Sequence, residues 1–406
     1  MSVSRVGVIG AGTMGRGIAQ VAALGGYATV IHDVAPDLAE AGAAALRDAL
    51  AKGASRGRWS EEEAEAAANR VETATEIDEL SGCGLLIEAA PEDVELKRNL
   101  FVGLAEALGP DPVLATNTSS LRVSEIAAGV PQPERVVGMH FFNPPALMRL
   151  VEVVAAERSS EQALATATEA AERMGRTPIR AKDSPGFVAN RLARPFSLEA
   201  LRMLGDGVAD VATIDRVVRL GGGFRMGPFE LLDLIGLDVN LEIARSFFRQ
   251  GGEPERWRPS PIQEDLVAAG RFGRKSGRGY YDYDEARDPD PDLGIDAPTL
   301  DPEQLAKIDP RAEQVLTRLL AQIANEAAFA TEEEIASPED METAMQLGFN
   351  WPLGPLGFTE LIGPARAVEI LERLLAKQGP AYRPAPYLKA LTPRTASDFL
   401  PSRPEI

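Results

Sequence analysis

Apolar positions along the first half of the chain follow two alternating patterns. Short continuous runs (Val6, Val8 and Ile9; Ala28 to Ile31; a segment near Val71; Leu85 to Ala89; Val113 to Ala115) read as buried strands. Between them, residues 36–52, 60–70 and 93–108 carry helical spacing, and a helical run also reaches Leu24. Strand and helix in turn predict an α/β domain with a parallel sheet. Two further β-type runs follow, Val136 to Met139 and Leu150 to Val154. From Ser184-Pro-Gly-Phe onward the pattern is helical.

The loop after the first strand reads Gly10-Ala-Gly12-Thr13-Met14-Gly15. Strand, GxGxxG and helix form a Rossmann-type dinucleotide fingerprint: tight turn, close backbone approach to a pyrophosphate, and close helix–strand packing. Asp33 lies 23 residues after Gly10, at the end of the second strand. An acid there accepts from adenosine ribose hydroxyls and repels a 2′-phosphate, which favours NAD over NADP. Its neighbour His32 reads as a solvated strand end. Thr116-Asn117-Thr-Ser119-Ser120 follows another strand end, where an open parallel sheet binds ligands. Ser119 could donate to a substrate oxygen; equally, Ser119 and Ser120 could begin or cap the next short helix.

His140 is one of two histidines and opens HFFNPPALMRLVE. An Asn-Pro-Pro turn can fold its strand back against the run containing Glu152. A carboxylate beside an imidazole fixes its tautomer and favours its protonated form, giving a proton acceptor near neutral pH. Spacing alone leaves open a satisfied histidine and an unrelated glutamate.

At 406 residues the chain suggests two or three domains, and a net charge of −19 argues against nucleic acid and anionic membranes as partners. No apolar run approaches a bilayer span, and the N-terminus shows no signal pattern. The single cysteine, Cys83, reads as a small residue before a strand and fits a reducing, cytoplasmic setting. No metal site is expected.

The helical half repeats. Leu220-Gly221, Gly227-Pro228 and Leu234-Ile235-Gly236 recur 127 residues on as Leu347-Gly348, Gly354-Pro355 and Leu361-Ile362-Gly363. The same offset pairs Arg191-Leu192 with Arg318-Leu319 and Glu199-Ala200 with Glu326-Ala327. The expected organisation is a Rossmann-type α/β domain (1–183) followed by two all-α domains related by duplication. The first copy is 184–284, a Pro- and Asp-rich linker spans 285–312, and the second copy is 313–406.

GAGTMGRGIAQ, EAAPEDVELKRNLF, ATNTSSL, GMHFFNPPALMRLVEVV, DSPGFVANRL, MGPFELLDLIGLDV and GRKSGRGYYDY occur in this order. Over residues 1 to about 285 the chain resembles the 3-hydroxyacyl-CoA dehydrogenase family. The resemblance implies NAD-dependent, reversible oxidation of an L-3-hydroxyacyl-CoA, such as 3-hydroxybutyryl-CoA, in fatty-acid β-oxidation. It implies His140 as catalytic base, Glu152 as the acid that orients it, and Ser119 and Asn190 as contacts to the substrate. It matches Gly10, Gly12, Thr13, Met14, Gly15 and Asp33 to the dinucleotide site, and Glu92, Lys97, Asn117, Asn143 and Lys275 to positions near the nicotinamide. For Lys97 a solvated helix face, and for Lys275 a flexible loop charge, stay open. The basic stretch Lys52 to Arg58 falls where the family contacts the coenzyme, or is an ordinary solvated loop. The partner implied is an acyl-CoA, with a monomer or a homodimer formed through the helical domains. The second copy has Thr317 where the first has Asn190, so it reads as structural. Phe187, Met226 and Phe229 are guesses for the acyl pocket. The other function classes are a catalytically silent NAD- or acyl-CoA-binding protein, a dehydrogenase of a substituted acyl-CoA such as 3-hydroxyadipyl-CoA, and a hydroxyacid dehydrogenase with a lysine base. The last would not be expected to carry HFFNP.

Overall fold

A computed structural model describes residues 3–284 and 290–392 and divides the chain into two compact units, 1–187 and 188–406. In the first, strands and helices come as β1 (Arg5–Ile9), α1 (Thr13–Leu24), β2 (Ala28–His32), α2 (Pro36–Ser55), α3 (Glu61–Ala68), β3 (Val71–Ala74), β4 (Leu85–Glu88), α4 (Val94–Leu108), β5 (Val113–Thr116), α5 (Val123–Ala127), β6 (Val136–Phe141), β7 (Leu150–Ala155), α6 (Glu161–Arg173) and β8 (Thr177–Lys182). The eight strands form one sheet in the order β3-β2-β1-β4-β5-β6-β7-β8. All neighbours are parallel except β6 and β7. The strands are apolar and buried on both faces, as a helix-covered parallel sheet requires: β4, β5 and β6 have no exposed residue. Ile18, Val21, Leu46, Leu50 and Leu164 belong to the core against it. After β1 the strand order reverses direction, from β2 and β3 on one side to β4 on the other. The crevice at the carboxyl ends of β1 and β4 is therefore the switch point where such sheets take ligands.

The second unit contains α7 (Ala189–Leu192), α8 (Arg194–Gly205), α9 (Val211–Leu220), α10 (Pro228–Ile235), α11 (Leu237–Gln250), α12 (Pro261–Ala268), α13 (Pro302–Ala306), α14 (Ala312–Glu332), α15 (Pro338–Gly348), α16 (Pro355–Ile362), α17 (Pro364–Gln378) and α18 (Pro386–Ala390). The elements α9, α10 and α11 recur at the same spacing as α15, α16 and α17, and α14 stands where α7 and α8 do. Local chemistry recurs with them. Asp215 accepts from the backbone N–H groups of Phe229 and Glu230 at the start of α10. At the equivalent place Glu342 accepts from Gly354, Leu356 and Gly357 at the start of α16.

Both helical stretches fall within one compact unit. The expected linker, of which 285–289 lie outside the described residues, is not a free tether. Leu305 and Ile308 are buried and Thr299 N donates to Gly221 O, because its apolar positions have a helical surface to bury against. The second copy's last residues, 393–406, also lie outside the described residues. No described helix is long and apolar enough to cross a membrane.

Candidate active site

The turn from β1 to α1 shows why glycine is needed. Gly10 has φ +102°, and a Cβ there would sit 2.7 Å from Ala89 O, while one on Gly15 would sit 1.7 Å from Gly10 O. Gly12, the N-cap of α1, has open space where its Cβ would be, and no side chain caps the helix. First-turn N–H groups left uncapped at a helix start form an anion site. Asp33 Oδ2 accepts from Ala11 N at 2.9 Å, which ties the end of β2 to this turn. A cavity of about 820 Å³ opens here, lined by Gly10, Gly12, Thr13, Met14 and Asp33. Val34, Leu38 and Leu96 expose apolar surface along it, suited to a base ring. Polar floor, apolar walls and an acid fit a dinucleotide. Another cavity, about 660 Å³, lies at the opposite ends of the strands around Cys83 and Arg135, away from the switch point. Burial pushes the Cys83 thiol up to about 11, leaving it inert at neutral pH.

Of the residues expected at the nicotinamide end, Glu92 and Lys97 join one network. Glu88, at the end of β4, is fully buried; its Oε1 accepts from Lys97 Nζ at 2.5 Å and its Oε2 from Thr116 Oγ1 at 2.7 Å. Lys97 Nζ also lies 3.4 Å from Glu92 Oε2. Glu92 Oε1 accepts from Thr118 Oγ1 (2.7 Å), Ser119 N (3.0 Å), Ser120 N (3.1 Å) and Ser120 Oγ (2.9 Å). Burial alone would raise the Glu92 carboxyl. The donors from Thr118, Ser120 and Ser119, together with the Lys97 charge, outweigh it and hold the carboxyl below the usual range. Lys97 is therefore not on a solvated helix face; it is 1% exposed and enclosed by Glu88 and Glu92. Nor do Ser119 and Ser120 cap a helix, since the next one begins at Val123. Their loop is clamped by Glu92, with Ser119 at its exposed tip.

Beside this loop, β6 and β7 run antiparallel with His140 opposite Glu152. Nδ1 of His140 lies 2.6 Å from Glu152 Oε2; the histidine is 6% exposed and the glutamate 0%. This bond assigns the proton to Nδ1 and leaves Nε2 as the acceptor. The imidazole packs between Phe142 and Phe187, with ring centroids 4.6 and 5.8 Å away. Asn117 Oδ1 accepts from Phe141 N at 2.8 Å, so the residue after His140 is pinned to the Ser119 loop. Asn143, at a cis bond to Pro144, is exposed in the turn.

Other expected positions fall elsewhere. His32 is not solvated: it is 3% exposed, with Nε2 3.1 Å from Thr75 O, because the chain after β3 covers the end of β2. Lys52 belongs to α2 rather than a loop; it, Arg56 and Arg58 are exposed. Asn190 and Lys275 belong to the second unit. Asn190 is half-buried on α7, and Lys275 Nζ pairs with Asp238 at 2.6 Å rather than standing free. Phe229 is fully buried against Tyr280. Neither Glu88 nor the Asn117 anchor was assigned these partners from sequence; an acid closing β4 was the available signal.

The model of the 3-hydroxyacyl-CoA dehydrogenase NAD binding domain matches residues 5–184, and that of the C-terminal domain matches 186–283 and 315–396. The chain belongs to the 3-hydroxyacyl-CoA dehydrogenase family. Among its relatives, a 3-hydroxyadipyl-CoA dehydrogenase of Escherichia coli is 34% identical, over 96% of this chain and 97% of its own length. A probable 3-hydroxybutyryl-CoA dehydrogenase of Bacillus subtilis is 41% identical over 70% of this chain and 99% of its own. The crystal structure of a 3-hydroxybutyryl-CoA dehydrogenase from Escherichia coli has a TM-score of 0.88 at 32% identity, covering 98% of this chain and 100% of its own. Like its family, this dehydrogenase is an oxidoreductase that uses NAD to oxidise 3-hydroxyacyl-CoA.

Proposed function

We propose that His140 is the catalytic base of this dehydrogenase, held and charged by Glu152. The 2.6 Å bond between them, buried at the paired ends of two strands, carries this reading. When bound, NAD+ supplies the acceptor for the hydride that leaves C3. As the C3–O bond becomes a carbonyl, the hydroxyl proton passes to His140 Nε2, and the charge that appears on the ring is balanced by Glu152. Ser119, whose loop Glu92 and Lys97 hold, and Asn190 orient the substrate oxygen; preset position lowers the entropic part of the barrier. The glycine turn and α1 bind the pyrophosphate, Asp33 meets the ribose, and Asn117, Asn143 and Lys275 serve the nicotinamide end.

His140→Ala should lower turnover about 10² to 10⁴-fold and leave NADH binding, read by fluorescence titration, nearly intact. Turnover close to wild type would remove His140 from the mechanism. Activity on acetoacetyl-CoA but not free acetoacetate separates this reading from a hydroxyacid dehydrogenase. A substituted acyl group is a second reading, supported by the full-length correspondence with the 3-hydroxyadipyl-CoA dehydrogenase relative. A single buried cysteine fits work in the reducing cytoplasm.

The helical half reads as a duplication whose copies satisfy each other. Arg191 pairs with Glu326 at 2.8 Å and Arg318 with Glu199 at 2.7 Å, and each partner of one pair lies 127 residues from its counterpart in the other. Reciprocal contacts of this kind are those of an isologous dimer, here made within one chain.

A further inference from the structure

Arg194 opens α8 with a guanidinium that no acid among the described residues answers. It is 8% exposed, and its Nε and Nη1 are buried without a hydrogen-bond partner among the described residues. The Phe247 ring lies 5.2 Å from its Cζ. Burial brings its pKa down only to about 10, so it is charged at neutral pH. An unpaired buried charge is costly, and a ring face offsets little of that. The buried acids described in its unit are committed elsewhere: Glu199 to Arg318, Glu326 to Arg191, Glu230 to Arg219, Asp215 and Asp233 to backbone N–H groups and tyrosines.

The repeat separates structural arginines from this one. Arg191 recurs as Arg318, and both make the paired contacts. Arg194 recurs as Ala321, just as Asn190 recurs as Thr317. Arginine is thus lost in the copy that also lost the substrate-contacting amide. Arg194 follows Asn190 by four residues, and Ala193 between α7 and α8 keeps right-handed helical angles. Positions four apart on a continuing helix lie on one face, with Cβ atoms about 5–6 Å apart.

We propose that Arg194 receives a carboxylate at the far end of the acyl group, so that the preferred substrates are dicarboxylic 3-hydroxyacyl thioesters. The planar guanidinium fork takes a carboxylate in two parallel hydrogen bonds and supplies the missing counter-charge. This rests on the reading that Asn190 meets the substrate oxygen. The same fork could instead hold a phosphate of the coenzyme.

The test measures kcat/KM for NADH-linked reduction of 3-ketoadipyl-CoA and acetoacetyl-CoA by the full chain, its Arg194→Met variant and its Arg194→Lys variant. Wild type should favour the dicarboxylic substrate. Arg194→Met should lose about 100-fold on it, mostly in KM, and stay within about 3-fold on acetoacetyl-CoA, with the lysine variant between. Equal losses on both substrates would overturn the proposal. If such a loss vanishes with acetoacetyl-pantetheine, the arginine holds a coenzyme phosphate instead. Should the methionine variant not fold, free adipate against wild type decides: competition with the thioester at concentrations where butyrate has none supports the proposal, and equal inhibition overturns it. A wild type that reduces acetoacetyl-CoA without preferring the dicarboxylic thioester sinks this inference alone. One that reduces neither sinks the dehydrogenase reading beneath it.

Discussion

Glu152 is fully buried with its carboxylate directed at one ring nitrogen. Replacing it by glutamine keeps the shape but removes the negative charge that balances a protonated imidazole, and lets the ring bind through either tautomer. Glu152→Gln should therefore reduce kcat about 10² to 10⁴-fold with KM for NADH little changed. A steady-state comparison with wild type checks this, and a kcat within twofold would show that the imidazole needs no carboxylate. At this scale the sequence was informative for His140 and Glu152, because a turn between two short strands constrains which residues face each other. It left Lys97 between a place near the nicotinamide and a solvated helix face, and gave no partner for Glu88. A lysine on a helix gives no sign that it will be enclosed, since enclosure depends on acids contributed by other elements.

Among elements, the loop after β5 depends on Glu92. Its carboxyl is held below the usual range, so protonation is favoured in the unfolded chain before the folded one. The stabilisation is present above the ordinary carboxylate range near 4.5 and is lost as pH falls through the depressed folded value. Melting temperatures of wild type and Glu92→Gln should differ at pH 6 to 7 and converge only as pH falls through the depressed folded value. A constant gap across that range would show that the loop does not depend on the ionised carboxylate. The glycine turn, β1 to β5 and the helices among them were legible from apolar spacing. The span 161–182, α6 and β8, carried no assignment: Thr177–Lys182 contains a proline and two cations, and it forms a strand because β7 offers a parallel edge to pair with.

In the helical unit as a whole, the two reciprocal ion pairs bind the repeats together. Arg191→Ala would leave Glu326 with Arg256 and Trp257 Nε1 but break one of the pairs that repeat. Because Glu326 keeps those partners, the loss in chemical denaturation should fall below the about 3–5 kcal/mol of a buried charge left uncompensated. Removing residues after about 290 would bare the first copy's face. Because Glu199 occupies in the first copy the place that Glu326 holds in the second, that face is self-complementary. The truncated chain should pair with itself or aggregate, as sedimentation would show. A truncated chain that stays soluble, stable and unchanged in association state would refute the internal-dimer reading.

What the amino-acid sequence determined alone were the local properties: strand and helix rhythm, the glycine turn, the acid after β2, and a repeat kept at one constant spacing. Each depends on residues close in the chain, or on comparing one stretch with another. Tertiary structure decided which charges found partners. Lys97 was enclosed, Arg191 and Arg318 crossed between repeats, and Arg194 was left without an acid among the described residues. The energy of a buried charge depends on what the fold brings within a few ångströms of it, and spacing along the chain does not record that distance.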